Sequence, residues 1–230
     1  MSKGYILLEG GSEFGGKMAE PDLRAIHLAG GFAAPIAIIP AAAAPDHNHQ
    51  RAGGNGMRWF TGLGARQVSL QPLIDRESAD QAAIAEALRG SRLVYLLGGF
   101  PAHLGRSLAG SLSWQAILEA YQSGAVVGGS SAGAMVLCQH YYDPESKSLL
   151  QGLNLLPGTC VLPHHDTFGK GWAAHLSDLL PDRTLVGIDE QTGMLDDAPG
   201  GQWNVYGKGA VTLYRAGVTS VYHPGDQFTL

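Results

Sequence analysis

Short, mostly apolar segments recur along the first half of the chain, and each stops at glycine, proline or a polar residue. A strand inside a parallel sheet is buried on both faces, so it appears in sequence as a nearly unbroken apolar run. The segments therefore predict buried strands of such a sheet. The predicted strands are Gly4–Glu9, Pro35–Pro40, Gln67–Leu73, Leu93–Leu97 and the apolar run that opens Ala125–Leu137.

Helix signals occupy the segments between these strands. In the clearest case, Trp114, Ile117, Leu118 and Tyr121 fall on one face of a helix. The polar stretch Asp46–Asn55 is predicted as a loop. The alternation of strand and helix indicates an α/β protein, with a mostly parallel sheet and helices on both faces. The predicted helices are Pro21–Ala29, a short one around Met57–Leu63, Ser78–Arg89 with a capping box of Ser78 and Gln81, and Ser113–Ser123.

The pattern changes after Thr192, where short strands and turns replace the alternation of strand and helix. The segments Val205–Tyr206, Ala210–Arg215 and Val218–Tyr222 are predicted as strands of a C-terminal antiparallel edge. The chain contains no internal repeat, low-complexity tract or linker. A single domain over residues 1–230 is therefore expected.

Composition argues against several classes of protein. Apolar residues make up 45% of the 230 residues, enough for a large core, while charged residues make up only 15%. The formal net charge of -5 and the lack of a Lys/Arg run argue against a nucleic-acid partner. Prolines interrupt the longest apolar stretch, Gly31–Pro45, so it predicts no membrane span. The first residues do not resemble a secretion signal, so a cytoplasmic protein is expected.

Cysteines and histidines offer two candidate metal sites, and neither is convincing. Cys138 and Cys160 lack the spacing of a zinc site and are predicted to be buried thiols. His47 and His49 have ligand-like spacing, but a zinc site needs three or four ligands and none follows nearby. No metal ion or organic cofactor is expected.

Glycines and serines follow the fifth apolar run directly. The stretch Gly129–Gly133 (GSSAG) has the G-x-S-x-G spacing of a nucleophile elbow, in which a serine occupies a sharp turn between strand and helix. Such a turn brings backbone atoms together and needs small neighbours, and the first amides of the helix can bind an oxyanion. Ser131 is therefore the candidate nucleophile, and Ser130→Ala is expected to be a control that keeps substantial activity.

A serine nucleophile needs a base, and the base needs an orienting group. His164 and His165 follow one predicted strand, and Asp189 and Glu190 follow another. Because the carboxyl ends of parallel strands meet at one edge of the sheet, these groups are expected near Ser131. The residues by themselves leave open which histidine and which carboxylate take part.

A second order of triad residues is also available. Ser131, then Asp189 or Asp196, then His223 would follow the order of the α/β-hydrolases and indicate an esterase. Against this alternative, no HGGG-type oxyanion motif is present. His223 also lies in a segment typical of a turn between strands.

Several stretches together resemble peptidase family S51, the dipeptidase E and cyanophycinase group. The resemblance runs in a consistent order over residues 4–215. It implies a class I glutamine amidotransferase-like, flavodoxin-like fold. The matching stretches are Ile39–Ala42, Leu97–Gly99, Gly129–Ala134 and Gly187–Thr192, with Pro163–His164 as a further family element.

The same resemblance implies a role for each matching position. Ser131 would be the nucleophile, His164 its base and Glu190 the group that orients the histidine. The amides of Gly99 and Ala132 would form the oxyanion hole. The implied reaction is hydrolysis of a small peptide or amide through an acyl-enzyme, with aspartyl peptides as the family's usual substrates and no cofactor.

Two features differ from the family pattern. Phe100 and Pro101 stand where the family usually has polar residues, which leaves open a catalytically silent binding or regulatory domain with a closed pocket. The cyanophycinase-like branch has arginines after its histidine, whereas this chain has Asp166–Trp172 (DTFGKGW) there. An aspartyl substrate would need a cationic partner, and Lys170 and Arg106 are the candidates by position. The expected partner is thus a small peptide or amide, rather than a nucleic acid or a membrane, with a homodimer left open.

Overall fold

The computed structural model describes residues 3–230, which form two β-sheets covered by helices. The strands, in chain order, are β1 (Tyr5–Glu9), β2 (Pro35–Ile39), β3 (Gln67–Leu70), β4 (Leu93–Leu96), β5 (Val126–Ser130), β6 (Cys138–Asp143), β7 (Ser148–Gln151), β8 (Leu156–Leu162), β9 (Thr184–Ile188), β10 (Thr192–Ala198), β11 (Gln202–Gly207), β12 (Val211–Arg215), β13 (Val218–Tyr222) and β14 (Gln227–Phe228). The α-helices are α1 (Ala19–Leu28), α2 (His49–Gly62), α3 (Arg76–Ala79), α4 (Ala82–Arg89), α5 (Pro101–Leu108), α6 (Leu112–Gln122), α7 (Ala132–Leu137) and α8 (Ala173–Leu179).

The larger sheet has eight strands in the order β14-β11-β10-β1-β5-β4-β2-β3. The section from β1 to β3 is parallel, whereas β10, β11 and β14 add an antiparallel edge. Both faces are buried, since Ile6 and Leu8 of β1 join one apolar cluster and Leu7 joins the other. The predicted α/β fold with a mostly parallel sheet is confirmed, and it is consistent with a flavodoxin-like fold.

The six-stranded second sheet, in the order β13-β12-β9-β8-β6-β7, does not follow from the sequence pattern. The predicted edge strands Ala210–Arg215 and Val218–Tyr222 belong to this sheet and not to the larger one. Within it, β8 and β9 are parallel neighbours. The loops that follow them therefore leave the sheet at the same edge, which brings their residues together.

Helix α2 starts within the segment Asp46–Asn55, which the sequence pattern wrongly predicts as a polar loop. Four glycines weaken the helix signal of this segment, because glycine has a low intrinsic helix propensity, and two of them, Gly53 and Gly56, face the sheet or the loop after β1. These two are needed for packing, since a Cβ on Gly53 would lie 2.3 Å from Leu70 Cδ1 and one on Gly56 would lie 3.1 Å from Phe14. Helix α2 therefore lies unusually close to the sheet.

The predicted helix Ser78–Arg89 is divided into α3 and α4. Asp75, and not Ser78, caps the first of them: its carboxylate accepts a hydrogen bond from the Ser78 amide, and Ser78 Oγ accepts one from the Asp75 amide. Helix α5, which the pattern does not predict, begins at Pro101. Proline suits a first helical position, so Phe100 and Pro101 serve as the start of a helix.

Neither a disulfide, a metal-binding cluster nor a helix long and apolar enough to cross a membrane occurs among residues 3–230. Both cysteines are free and buried, as predicted. Cys138 begins β6 and does not continue the preceding helix, and Cys160 lies within β8. Their burial raises the pKa of the Cys138 thiol to about 11, so it is a poor nucleophile.

Candidate active site

Ser131 occupies the sharp turn between β5 and α7, with φ 50° and ψ -114°. A non-glycine residue held there costs on the order of 1–3 kcal/mol. The surrounding glycines are required, since a Cβ on Gly129 would lie 2.5 Å from the Gly133 carbonyl carbon and one on Gly133 would lie 2.2 Å from the Leu96 oxygen. The chain therefore forms a strand, a tight turn and a helix with Ser131 at the turn.

The His164 ring lies beside Ser131, and its Nε2 is 3.0 Å from Ser131 Oγ. His164 follows β8 at φ 47°, and its backbone N–H donates to the Gly10 carbonyl at 2.8 Å. A Cβ on Gly11 would lie 2.2 Å from His164 Cε1. The glycine loop after β1 therefore leaves room for the ring and positions it.

Glu190 holds the other side of the same ring. Its Oε1 is 2.9 Å from His164 Nδ1, and its Oε2 accepts a hydrogen bond from Ser12 Oγ at 2.8 Å. The Glu190 amide donates to Asp166 Oδ1 at 2.9 Å, which fixes the loop. Two hydrogen bonds lower the pKa of the Glu190 carboxyl: the one from His164 has the larger effect and the one from Ser12 the smaller.

An ionised carboxylate accepts hydrogen bonds but donates none, so Glu190 requires the proton of a neutral His164 to be on Nδ1. Nε2 is then an acceptor directed at the Ser131 hydroxyl. Phe168 stacks on the imidazole with ring centroids 4.9 Å apart, which supports its orientation from one face. Neither Ser12 nor Phe168 lies in a sequence motif, so only the structure identifies them.

His165 and Asp189 lie together on the other side of this loop. His165 is 5% exposed, its Nε2 is 2.9 Å from the Tyr214 hydroxyl, and its Nδ1 is 3.3 Å from Asp189 Oδ1. Asp189 Oδ2 accepts from the Ala210 amide at 2.8 Å. The two adjacent histidines thus face different partners, and the pair of His165 and Asp189 connects the loop to the second sheet.

Two backbone amides near the nucleophile turn are candidates for the oxyanion site. Gly99 has φ 136°, and within residues 3–230 its N–H has no acceptor. A Cβ there would lie 2.3 Å from the Ala42 oxygen, so the turn requires glycine. The Ala132 N–H is in the first turn of α7, where amides have no helical partner. Phe100 donates its own N–H to the Ala42 carbonyl at 2.8 Å and so holds the turn in place.

A cavity of about 390 Å³, here called the α2 groove, lies between the turn of Gly98 and Gly99 and the start of α2. Its charged lining residues are Glu13, Asp46 and Arg51, none of which the sequence analysis identifies. Arg51 lies in the segment that the sequence pattern predicts as a polar loop, so the pattern gives it no role. Glu13 follows the first strand and belongs to no motif. Phe100 and Pro101 follow the turn of Gly98 and Gly99 but do not line the groove.

The remaining candidates lie away from the α2 groove. Lys170 is exposed in the short 3-10 helix after Phe168, and Arg106 is exposed on α5. His223 lies in a turn where its amide donates to Asp226, so the hydrolase-type triad receives no structural support. A larger cavity of about 870 Å³ lies at the amino ends of β1 and β9; Asp196 lines it, but Ser131, His164, Glu190 and His223 do not.

A buried pair of carboxyl groups lies behind the nucleophile turn. Glu9, whose carbonyl accepts from the Ser131 amide, and Asp22 are both fully buried. Tyr95 donates to Glu9 Oε2, and Trp59 Nε1 donates to Asp22 Oδ2 at 2.7 Å. The remaining oxygens have no donor among the described residues, and a proton shared by the two carboxyls satisfies both.

Burial raises the pKa of Asp22 from 3.8 to about 7, and it raises that of Glu9 as well. A raised folded-state pKa contributes stability below the unfolded value that is lost as the pH rises through the folded value. The free energy of unfolding is therefore expected to fall between about pH 4 and pH 7. Asp22→Asn, which cannot ionise, should reduce this fall by ~2–4 kcal/mol in urea unfolding at pH 5 and pH 8. Equal pH dependence in both proteins would contradict the shared-proton pair.

The sequence profile of peptidase family S51 matches residues 6–195. Among curated proteins, a cyanophycinase from Trichormus variabilis is 30% identical over 197 residues, which are 80% of this chain and 64% of that protein. A cyanophycinase from Synechococcus elongatus is 28% identical over 225 residues, covering 92% of this chain and 68% of that one. The chain thus spans about 64% of the length of the first of these relatives.

Solved structures agree with the sequence comparison. The crystal structure of a peptidase from an acI-B1 Actinobacterium superposes with a TM-score of 0.89 at 28% identity, over 99% of this chain and 97% of that one. A putative peptidase E from Listeria monocytogenes EGD-e has a TM-score of 0.63 at 17% identity, over 93% and 99% of the two chains. The second likeness supports the fold alone.

Proposed function

This chain belongs to peptidase family S51, and from that premise we propose that it is a serine-type peptidase that hydrolyses short peptides with an acidic acyl-side residue. The observation that carries the proposal is the unbroken chain of contacts from Ser131 Oγ through His164 to Glu190, at 3.0 Å and 2.9 Å. The relatives that share the family are cyanophycinases. Substrate and residue roles are proposals for this chain.

In the proposed reaction, Ser131 Oγ attacks the scissile carbonyl carbon while His164 Nε2 takes the hydroxyl proton. Glu190 stabilises the imidazolium that forms. The negative charge on the carbonyl oxygen is bound by the amides of Gly99 and Ala132, a contribution worth ~3–4 kcal/mol for each donor in comparable sites.

Collapse of the tetrahedral intermediate breaks the carbon–nitrogen bond, and His164 gives its proton to the leaving amine. An acyl-enzyme on Ser131 remains. Water then attacks the ester carbonyl, with His164 as the base, and the carboxylic acid product is released as Ser131 recovers its proton. The cycle uses this chain's own residues at every step.

Arg51 is the proposed partner for the acidic group of the substrate. It is exposed in the α2 groove, which extends from the Gly99 side of the oxyanion site. Arg51 forms no ion pair within residues 3–230, so its guanidinium is free to bind a carboxylate in two-pronged fashion. Lys170 and Arg106, the cations chosen from sequence position, do not line this groove.

Arg51→Gln is expected to lower kcat/KM for Asp-Leu and β-Asp-Leu by ~10–100-fold, since a hydrogen-bonded charge pair contributes about 1.5–3 kcal/mol. Hydrolysis of Ala-Leu, which has no side-chain carboxylate, should change little. The measurement is kcat/KM for the three dipeptides in wild type and variant, with Arg66→Gln, an exposed change far from the groove, as control. If Lys170→Gln and not Arg51→Gln removes the preference, the carboxylate site is on the Phe168 side of His164.

A further inference from the structure

Glu13 lies beside the nucleophile without a role in the proposed triad. It follows β1 in a loop whose Ser12 and Phe14 have positive φ values of 55° and 66°. Its Oε2 accepts a hydrogen bond from Ser130 Oγ at 3.0 Å. A Cβ built on Gly98 would lie 3.3 Å from both Glu13 Oε1 and Ser131 Cβ. The carboxylate therefore lies on the same side of the turn as the nucleophile.

The hydrogen bond from Ser130 anchors the Glu13 carboxylate. Ser130 is fully buried at the end of β5, so its hydroxyl needs a partner, and Glu13 supplies it. Glu13 itself is only half-buried, and it lines the α2 groove together with Gly98 and Gly99. One carboxylate oxygen is thus anchored in the protein interior, and the group still reaches the cavity where a substrate would lie.

Within the described residues 3–230 the Glu13 carboxylate has no ion-pair partner, although Arg51 lines the same groove and Arg58 lines a neighbouring cavity with it. The buried carboxyls of Glu9 and Asp22 lie behind it and supply no positive charge; burial first, and the charge of Glu13 in addition, raise the pKa of both. A negative group next to an oxyanion site opposes the reaction unless a positive charge arrives with the substrate.

We propose that Glu13, held by Ser130, binds an ammonium group on the acyl-side residue of the substrate. The α-amine of an unblocked peptide is such a group, and it lies next to the scissile carbonyl in an α-peptide and one carbon further away in a β-aspartyl peptide. Glu13 and Arg51 give the α2 groove one anionic and one cationic side chain, which match the ammonium and carboxylate of an aspartyl residue. Glu13 is thus a specificity residue that selects substrates with a free amino terminus.

The inference rests on the proposed peptidase function, and a desamino substrate separates the two. N-succinyl-leucine has the same side-chain and backbone atoms as Asp-Leu and β-Asp-Leu but no ammonium group. Wild type is expected to prefer the faster of the two dipeptides over N-succinyl-leucine by at least ~100-fold in kcat/KM. Glu13→Gln should lower kcat/KM for the dipeptide by ~10–100-fold and leave N-succinyl-leucine unchanged or faster. Glu145→Gln, an exposed acid between β6 and β7, is the matched control.

Ser130→Ala provides a second variant that keeps the Glu13 charge. It removes the hydrogen bond that anchors the carboxylate, so the preference for the ammonium substrate should shrink by ~5–10-fold. Ser130→Ala is thus still expected to keep substantial activity, but with a weaker preference for the ammonium substrate. Labelling of Ser131 by an uncharged phosphonate probe should not be slower than in wild type in either variant, because that reaction uses no ammonium group.

Each outcome distinguishes the two claims. If Glu13→Gln lowers kcat/KM for the dipeptide and for N-succinyl-leucine equally, the ammonium site is overturned and Glu13 only supports the turn. The same conclusion follows if the variant also lowers the rate of phosphonate labelling. If wild type labels with the phosphonate but prefers N-succinyl-leucine, the ammonium site is overturned and the serine chemistry stands. If wild type neither labels nor cleaves any of the three compounds, the proposed function itself fails, and this inference with it.

Discussion

Ser131→Ala is expected to lower kcat for peptide hydrolysis by about 10⁴- to 10⁶-fold and to abolish labelling by a serine-directed phosphonate. The expectation follows from the 3.0 Å contact between Ser131 Oγ and His164 Nε2, which no other hydroxyl in residues 3–230 makes. Any remaining rate would come from the oxyanion amides and substrate binding. Alanine is also slightly smaller, so it should fit the turn with φ 50°.

The control for this experiment is Ser123→Ala. Ser123 is exposed at the end of α6, at the opposite end of the sheet from the nucleophile turn. The Ser123→Ala variant should react with the phosphonate and hydrolyse the peptide at the wild-type rates. If Ser131→Ala keeps even a hundredth of the wild-type kcat with an intact fold by circular dichroism, then Ser131 is not the nucleophile.

Glu190→Gln is expected to lower kcat by about 10²- to 10⁴-fold with a small effect on KM. The glutamine amide can donate to His164 Nδ1, which moves the ring proton to Nε2 and removes the acceptor for the Ser131 hydroxyl. It also lacks the negative charge that stabilises the imidazolium. Steady-state kinetics with the best dipeptide of the panel would measure both constants.

Asp189→Asn is the matched comparison, because the adjacent carboxylate binds His165 instead. It is expected to lower the free energy of unfolding, since Asp189 also accepts from the Ala210 amide, while kcat of the folded fraction changes far less. A greater kcat loss in Asp189→Asn than in Glu190→Gln would reverse the assignment of the orienting group.

The parts of the site that the sequence predicts are those governed by local backbone geometry. Gly129, Gly133 and Gly99 are needed because backbone atoms lie within 3 Å of where their side chains would begin, and such a requirement appears directly as small residues around Ser131. The buried strands are predictable for a similar reason, since burial on both faces favours apolar residues along β1, β4 and β5, and Glu9 and Ser130 stand only at the last positions of β1 and β5.

The errors have one physical cause. Helix α2 is stabilised by its close packing on β3, through Gly53, and not by the propensity of its own residues, so a local pattern predicts a loop. Because Arg51 lies in this helix, the local pattern gives it no role either. The second sheet depends on pairing between segments far apart in the chain, such as β6 with β8, and no local periodicity reports such pairing.

The sequence by itself determined the α/β class, the buried strands and the candidate serine, because each follows from burial or from close backbone contact within a few residues. Only the tertiary structure decided that His164 faces Ser131 while His165 faces Asp189, and that Glu13 and Arg51 share the α2 groove. Adjacent histidines have identical side chains, and groups from β1 and α2 are far apart in the chain. Their directions and distances are set by how the two sheets and their helices pack, which no single segment contains.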